Sequence, residues 1–306
     1  MTNSNKSPIL VTGSHRSGST WVGKVLSKSD DLGYMHEPFN PLYPTPRRSP
    51  INSWYLYVSK HNENIYKPFF SHTFNWNYES ARRFRGINNQ FKAMMWLKYG
   101  RIFMKNTGKT PLVKDPIALF SAPWLAKTFN MKVVMLIRHP AAFVYSLKRK
   151  DWEFPFHHLL RQEFLMQDLL ADFRPEIEQF SKQREDIIAQ GCLIWRIFYK
   201  TVAKFEKEHT NWIFLKHEDI SRAPKKQFKL LFERLSLEFD DNVLKYLSKS
   251  TSAQNPEGTK GNEEQLNRNS IANIDYWKKK LSIEDLERIK ALTEDVWPLY
   301  YTEKDW

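Results

Sequence analysis

The sequence predicts an α/β protein with a central, mainly parallel β-sheet flanked by helices. Two observations carry this prediction. Short apolar runs of four to six residues alternate with stretches of helical periodicity. The runs are apolar almost throughout rather than at every second residue, as expected of strands covered on both faces. A third observation locates the chemistry. Glycine, Glu37-Pro38, Asp115-Pro116 and Arg138-His139-Pro140 close successive runs, at the carboxyl ends where parallel sheets gather ligands.

Residues 8–13 (PILVTG) read as the first buried strand, followed by a loop at 14–20 and a helix over 21–28. Asp30-Asp31 form a turn before a second strand at 33–36. The stretch 40–77, rich in Pro, Asn and aromatic residues, reads as an irregular segment. Residues 79–106 carry helical periodicity stopped by Gly108, and 111–114 (PLVK) form a strand. A helix over 121–129 leads to 132–137 (KVVMLI), the clearest buried strand, and a further helix covers 141–150. Residues 176–209 read as largely helical with an interruption at Gly191. A strand at 211–216, a helix at 224–235 and a polar loop over 248–269 follow. The last helix, 283–296, opens with Ser282 as its cap and Asp285 three residues on. No internal repeat is present, and a single domain over 1–306 is expected, with 40–77 and 151–176 as segments facing an acceptor.

Composition narrows the function classes. A hydrophobic content of 41% in 306 residues supports a sizeable core. Aromatic residues reach 15%, with 11 Trp; they fit either a groove for planar groups and sugars or an unusually bulky core. A net charge of +13 favours anionic partners: nucleotides, sulfated or acidic polymers, nucleic acid or an anionic membrane face. Cys192 is the only cysteine, which excludes an intrachain disulfide and a cysteine zinc site and fits a reducing compartment. The polar start of the chain lacks a signal core, and no apolar run approaches the ~20 residues of a membrane span. A soluble, cytoplasmic protein is expected, with peripheral association to an anionic membrane surface left open.

The loop Gly13-Ser14-His15-Arg16-Ser17-Gly18-Ser19-Thr20 has the glycine spacing of a P-loop, with Ser19 in place of the lysine. A P-loop-containing nucleotide-binding fold follows. Glycines permit the tight turn, and N–H groups at the start of the next helix grip an anion. The strand 132–137 ends in Arg138 rather than in an aspartate that could hold magnesium, so an anion site built from arginine and amides, with no metal, is expected. Ser146 follows Arg138 by eight residues on a helix, and the two can converge on one phosphate.

These residues resemble the sulfotransferase family that uses 3′-phosphoadenosine-5′-phosphosulfate (PAPS). TGSHRSGSTW, residues 12–21, is similar to that family's 5′-phosphosulfate loop, and LIRHPAAFVYSLKR, residues 136–149, to its 3′-phosphate motif. LKHEDISRAP, residues 215–224, is a weaker echo of a Tyr-Glu-Asp-Leu segment, with His217 in the tyrosine place. Arg268 followed by Trp277 loosely resembles the tail that covers the nucleotide. The resemblance implies PAPS as donor and adenosine 3′,5′-bisphosphate as product. It places Ser14 to Trp21 around the 5′ end, with Arg16 at the bridging oxygen and Ser17 to Trp21 donating to the 5′-phosphate. Arg138 and Ser146 take the 3′-phosphate.

Sulfuryl transfer needs a base within about 3 Å of the acceptor hydroxyl. Glu37 is the candidate, since His36-Glu37-Pro38 is similar to the glutamate-proline of carbohydrate- and tyrosine-directed members; His36 is the runner-up. Lys114 could orient the sulfuryl oxygens or simply be ion-paired. The adjacent His157 and His158 point about 100° apart on a helix and do not suit one metal ion. The acceptor leans toward a carbohydrate or glycolipid. Two other readings are a P-loop phosphotransferase, disfavoured by the missing lysine and aspartate, and a basic nucleic-acid binder, which would give Arg138 and Ser146 no specific use.

Overall fold

The structure, a computed structural model, describes residues 6–42, 49–76, 101, 104–257 and 267–306. Its strands are β1 (Ile9–Gly13), β2 (Leu32–His36), β3 (Thr110–Lys114), β4 (Lys132–Ile137) and β5 (Ile213–Lys216). They form one sheet in the order β2-β3-β1-β4-β5, with every neighbouring pair parallel. The predicted central parallel sheet flanked by helices is therefore observed.

Side-chain alternation divides the core into two layers. Ile9, Val11, Leu112, Val134 and Leu136 face one layer, built by helix α1 (Ser19–Leu26) and by two later helices through Phe228, Phe232, Val243 and Leu247. Leu10, Val113, Val133, Met135 and Ile137 face the larger layer opposite. Both faces are covered, which explains why the strands read as continuous apolar runs. The chain leaves β1 toward the β2 edge but leaves β4 toward β5. The topological switch thus falls between β1 and β4, above whose carboxyl ends a ligand crevice opens.

The remaining helices are α2 (Glu63–Phe74), α3 (Ala122–Phe129), α4 (Pro140–Lys148), α5 (His157–Leu160), α6 (Glu163–Asp168), α7 (Arg174–Lys182), α8 (Ile187–Glu208), α9 (His217–Arg222), α10 (Pro224–Leu235), α11 (Asp241–Thr251) and α12 (Ile283–Leu292). Three expectations are corrected. The stretch 40–77 is not irregular throughout, because α2 buries Tyr66, Phe69, Phe70 and Phe74 along one side despite Pro68. Gly191 does not interrupt α8: a Cβ there would lie 3.2 Å from the Val144 side chain, so the glycine permits close approach of α4. The break falls instead before Asp186, whose carboxylate caps Ile188 and Ala189. The last helix ends at Leu292 rather than 296, although Ser282 caps it as expected, its hydroxyl accepting from Asp285 N at 3.1 Å. Most of the helix read over 79–106 lies outside the described residues. Among the described residues, no helix is long and apolar enough to cross a membrane.

Gly13 ends β1 with φ 140°, and a Cβ there would sit 2.5 Å from the Leu136 carbonyl oxygen on β4. Backbone cannot retreat as a side chain does. Gly13→Ala is therefore expected to cost about 2 kcal/mol or more of stability, read as a lowered thermal midpoint. An unchanged midpoint would show that the two strand ends can part.

Candidate active site

The glycine loop leaves β1 through left-handed backbone at Arg16 (φ 64°) and Gly18 (φ 96°). The first helical bond of α1 runs from Val22 N to Gly18 O at 3.2 Å. The N–H groups of Ser19, Thr20 and Trp21 precede it and lack partners within the helix, the usual means of holding an anion. Ser14 and Ser17 are buried and serve the loop itself. The Ser17 hydroxyl donates to Ser14 O at 2.6 Å, and Ser14 Oγ lies 2.8 Å from the Tyr199 hydroxyl. The side chain of His15 turns away from the crevice. It hydrogen-bonds the Tyr55 hydroxyl and packs edge-on against Phe198, 5.1 Å from the Phe143 ring. Burial, aided by Arg16, pushes its pKa down to about 3, so this histidine is neutral.

A cavity of about 150 Å³ opens over the loop, lined by Arg16, Gly18, Ser19, Thr20 and Trp21 together with Arg138, His217, Ser221, Ser250 and Arg268. A smaller recess of about 40 Å³ adjoins it, bounded by Arg16, Arg138, Ser146, Arg149, Arg268 and the aromatic rings of Tyr145, Tyr276 and Trp277. The sequence thus named residues of both chambers, and the fold brings them together. Arg138 donates from Nη1 to the carbonyl of Arg16, while Arg16 Nε donates to Ser146 Oγ at 2.8 Å. Arg16, expected at the bridging oxygen, lies here against the Ser146 side, with its guanidinium 5.5 Å from the centre of the Trp152 ring.

Four guanidinium groups share this small space. Burial lowers the pKa of Arg138, and it lowers that of Arg268 to about 10, helped by repulsion from Arg138, Arg16 and Arg149. Such crowding favours concentrated negative charge between the groups. Two orphaned atoms point the same way: Arg138 Nε and His217 Nδ1 are buried without a hydrogen-bond partner among the described residues. A donor set of this kind fits the two phosphate ends of PAPS. His217 also explains Gly18, since a Cβ there would lie 2.5 Å from His217 Nδ1. Arg149, Ser221, Ser250 and Asn273 were not foreseen as site residues; Arg149 ends the second motif, but its spacing alone says nothing of where its side chain points.

Glu37 and Lys114 meet at the other side of β1. Lys114, fully buried, donates from Nζ to Glu37 Oε1 at 2.5 Å, and Asn40 donates to Oε2 at 3.1 Å. Glu37 has φ 46°, and its turn is held by Asp115, whose carboxylate accepts from Phe39 N at 2.6 Å and Ile117 N at 3.0 Å. Burial raises the Glu37 pKa, but the charges of Lys114 and His36 and the hydrogen bonds from Lys114 and Asn40 outweigh it and hold the carboxyl below its ordinary 4.5. Burial pulls Lys114 downward against the opposing pull of Glu37. His36 is lowered to about 4 by burial and then by Lys114, which leaves it neutral and Glu37 the ionised group. His158 is a structural acceptor, taking Trp54 N at 3.0 Å.

A parallel sheet whose switch point carries a glycine loop and an arginine-lined recess defines a nucleotide-binding fold. The chain belongs to the sulfotransferase family, which matches residues 8–241, and it is a PAPS-dependent enzyme of sulfuryl transfer. No curated protein matches the chain. Among solved structures it is similar to the sulfotransferase domain of the Synechococcus PCC 7002 olefin synthase, at 15% identity over 99% of this chain and 98% of that one, with a TM-score of 0.49. It is also similar to a mouse sulfotransferase complexed with PAP, at 13% identity over 98% and 86% of the two chains, with a TM-score of 0.47.

Proposed function

We propose that this sulfotransferase moves the sulfuryl group to a hydroxyl of a carbohydrate or glycolipid, with Glu37 as the base. The observation that carries the proposal is a half-buried, ionised Glu37 held by Lys114 and Asn40 at the carboxyl edge of β2. Trp152, exposed at 41% and stacked beside Arg16, supplies a ring face of the kind that packs on a sugar. The aromatic excess is otherwise largely core: Trp195, Phe70, Phe198 and Phe232 are fully buried.

The donor contributes a sulfuryl group on a phosphate leaving group. The glycine-loop amides neutralise the phosphate oxygen that takes up the electron pair, with Arg16 joining them once its guanidinium leaves Ser146, while Arg138, Ser146 and Arg268 hold the 3′-phosphate. Glu37 accepts the proton of the attacking hydroxyl, and Lys114 keeps that carboxylate oriented and charged. No step assigns a role to a metal ion. The chain acts as one domain over 1–306 in the cytoplasm, with the described parts of 40–77 and of 151–176 flanking the acceptor.

The test is transfer of labelled sulfate from PAPS to a panel of saccharides, glycolipids, phenols and tyrosine peptides. Label should enter the saccharide or glycolipid hydroxyls, with activity unaffected by chelator. Label confined to phenols would overturn the acceptor, and a strict magnesium requirement would overturn the metal-free scheme.

A further inference from the structure

One buried phenol touches both phosphate-binding turns. Helix α8 presents Trp195 and Tyr199 one turn apart on the same face, and both reach the peptide of Arg138 where it leaves the sheet. Trp195 Nε1 donates to Arg138 O at 2.9 Å, and Arg138 N donates to the Tyr199 hydroxyl at 3.0 Å. The same hydroxyl lies 2.8 Å from Ser14 Oγ in the glycine loop. Since it accepts from Arg138 N, its own proton is available to Ser14. We infer that Tyr199 is a positioning residue that sets the spacing between the 5′-phosphosulfate loop and the 3′-phosphate recess.

The physical case rests on rigidity. Tyr199 is fully buried, edge-on to Tyr300, and its carbonyl accepts from the Tyr300 hydroxyl at 3.0 Å. Burial also raises its pKa, so the hydroxyl keeps its proton throughout the working range. The register of β1 with β4 places Gly13 opposite Leu136, but beyond those residues the two turns leave the ladder and backbone pairing no longer sets their separation. Among the described residues, the hydrogen bonds joining them include those of the Arg138 and Arg16 side chains, which a ligand would engage, and those of this phenol, which it would not touch. A ligand gripped at both ends gains affinity only when its two pockets are held at the right distance. A ligand gripped at one end does not sense that distance.

The inference rests on the assignment of one pocket to each phosphate, and the experiment separates the two claims. Binding of adenosine 3′,5′-bisphosphate, 5′-AMP and 3′-AMP is measured by calorimetry on the full chain and on Tyr199→Phe, which removes only the hydroxyl. For the unaltered protein, the bisphosphate should bind far more tightly than either monophosphate; equal affinities would overturn the two-pocket assignment itself. For Tyr199→Phe, bisphosphate affinity should fall about tenfold, with each monophosphate changed by less than about twofold. A uniform loss for all three ligands, or no loss, would overturn the positioning role, and a lowered melting temperature with an unchanged ratio would mark a structural role only. Ser14→Ala breaks the same link from the other side and keeps the Arg138 bond. It should give the same selective loss, and the double variant should be no worse than the more severe single one. Additive losses would overturn the link, and Ser14→Ala carries the test alone if the phenylalanine variant fails to fold.

Discussion

Replacing Arg138 by alanine is expected to weaken binding of adenosine 3′,5′-bisphosphate about 100-fold while changing that of AMP less than about threefold. The guanidinium borders both chambers, yet the small recess beside it also holds Ser146, Arg149 and Arg268, and Gly18 to Trp21 line only the larger one. Loss of a buried, charge-assisted fork should therefore fall on the 3′-phosphate. The backbone of Arg138 stays anchored by Trp195 and Tyr199, so truncating the side chain need not displace the turn. A residual effect on AMP comes from the lost bond to the Arg16 carbonyl. Calorimetric titration of the two nucleotides decides the matter; equal losses would remove Arg138 from the 3′-phosphate. Arg268→Ala should weaken the same ligand less, because its neighbours Arg138 and Arg149 remain.

Replacing Glu37 by glutamine is expected to lower turnover by ~10²-fold or more with nucleotide affinity retained. Glutamine keeps the shape and can still accept from Lys114, but it cannot take a proton from the acceptor. The change also leaves the Lys114 ammonium buried without its counter-charge, and breaking such a pair costs about 3 kcal/mol. Melting temperature must therefore be followed beside rate. The two effects separate with pH. The folded pKa of Glu37 lies below its ordinary 4.5, so its ionised form contributes stability that is complete above that value and is lost as pH falls through the folded pKa. The gap in melting temperature between native protein and variant should accordingly narrow on acidification below about 4.5, while the rate defect persists at neutral pH. Near-normal turnover of the variant at pH 7 would move the base elsewhere.

Both expectations start from residues that were legible before the fold was known, but not to equal depth. The glycine loop and the Arg138–Ser146 pair stand out because their chemistry is written in neighbouring residues: a strand end, a turn that tolerates positive φ, and a helix start. His217 was visible only as a variant tyrosine position. The stretch containing α2 misled because Pro and Asn signal loops, whereas the burial of Tyr66, Phe69, Phe70 and Phe74 comes from partners far along the chain, including Trp124 on α3 and Phe129 at its end. Gly191 misled for a related reason. Its small size answers to Val144 across a helix contact, and not to its own helix.

Sequence alone determined the parallel α/β class and marked the glycine loop, the Arg138–Ser146 motif and the carboxylate at the end of β2 as candidates, because backbone geometry and the spacing of a few residues specify each locally. Tertiary structure alone decided that Arg16 rests on Ser146, that Arg149 and Arg268 complete the recess, that Lys114 is the partner of Glu37, and that one tyrosine joins the two turns. The hydrogen bonds among them link residues between 61 and 185 positions apart, from Arg138 with Tyr199 to Ser14 with Tyr199. Distance along the chain carries no information about such meetings until the sheet order and the packing of α8 bring them together.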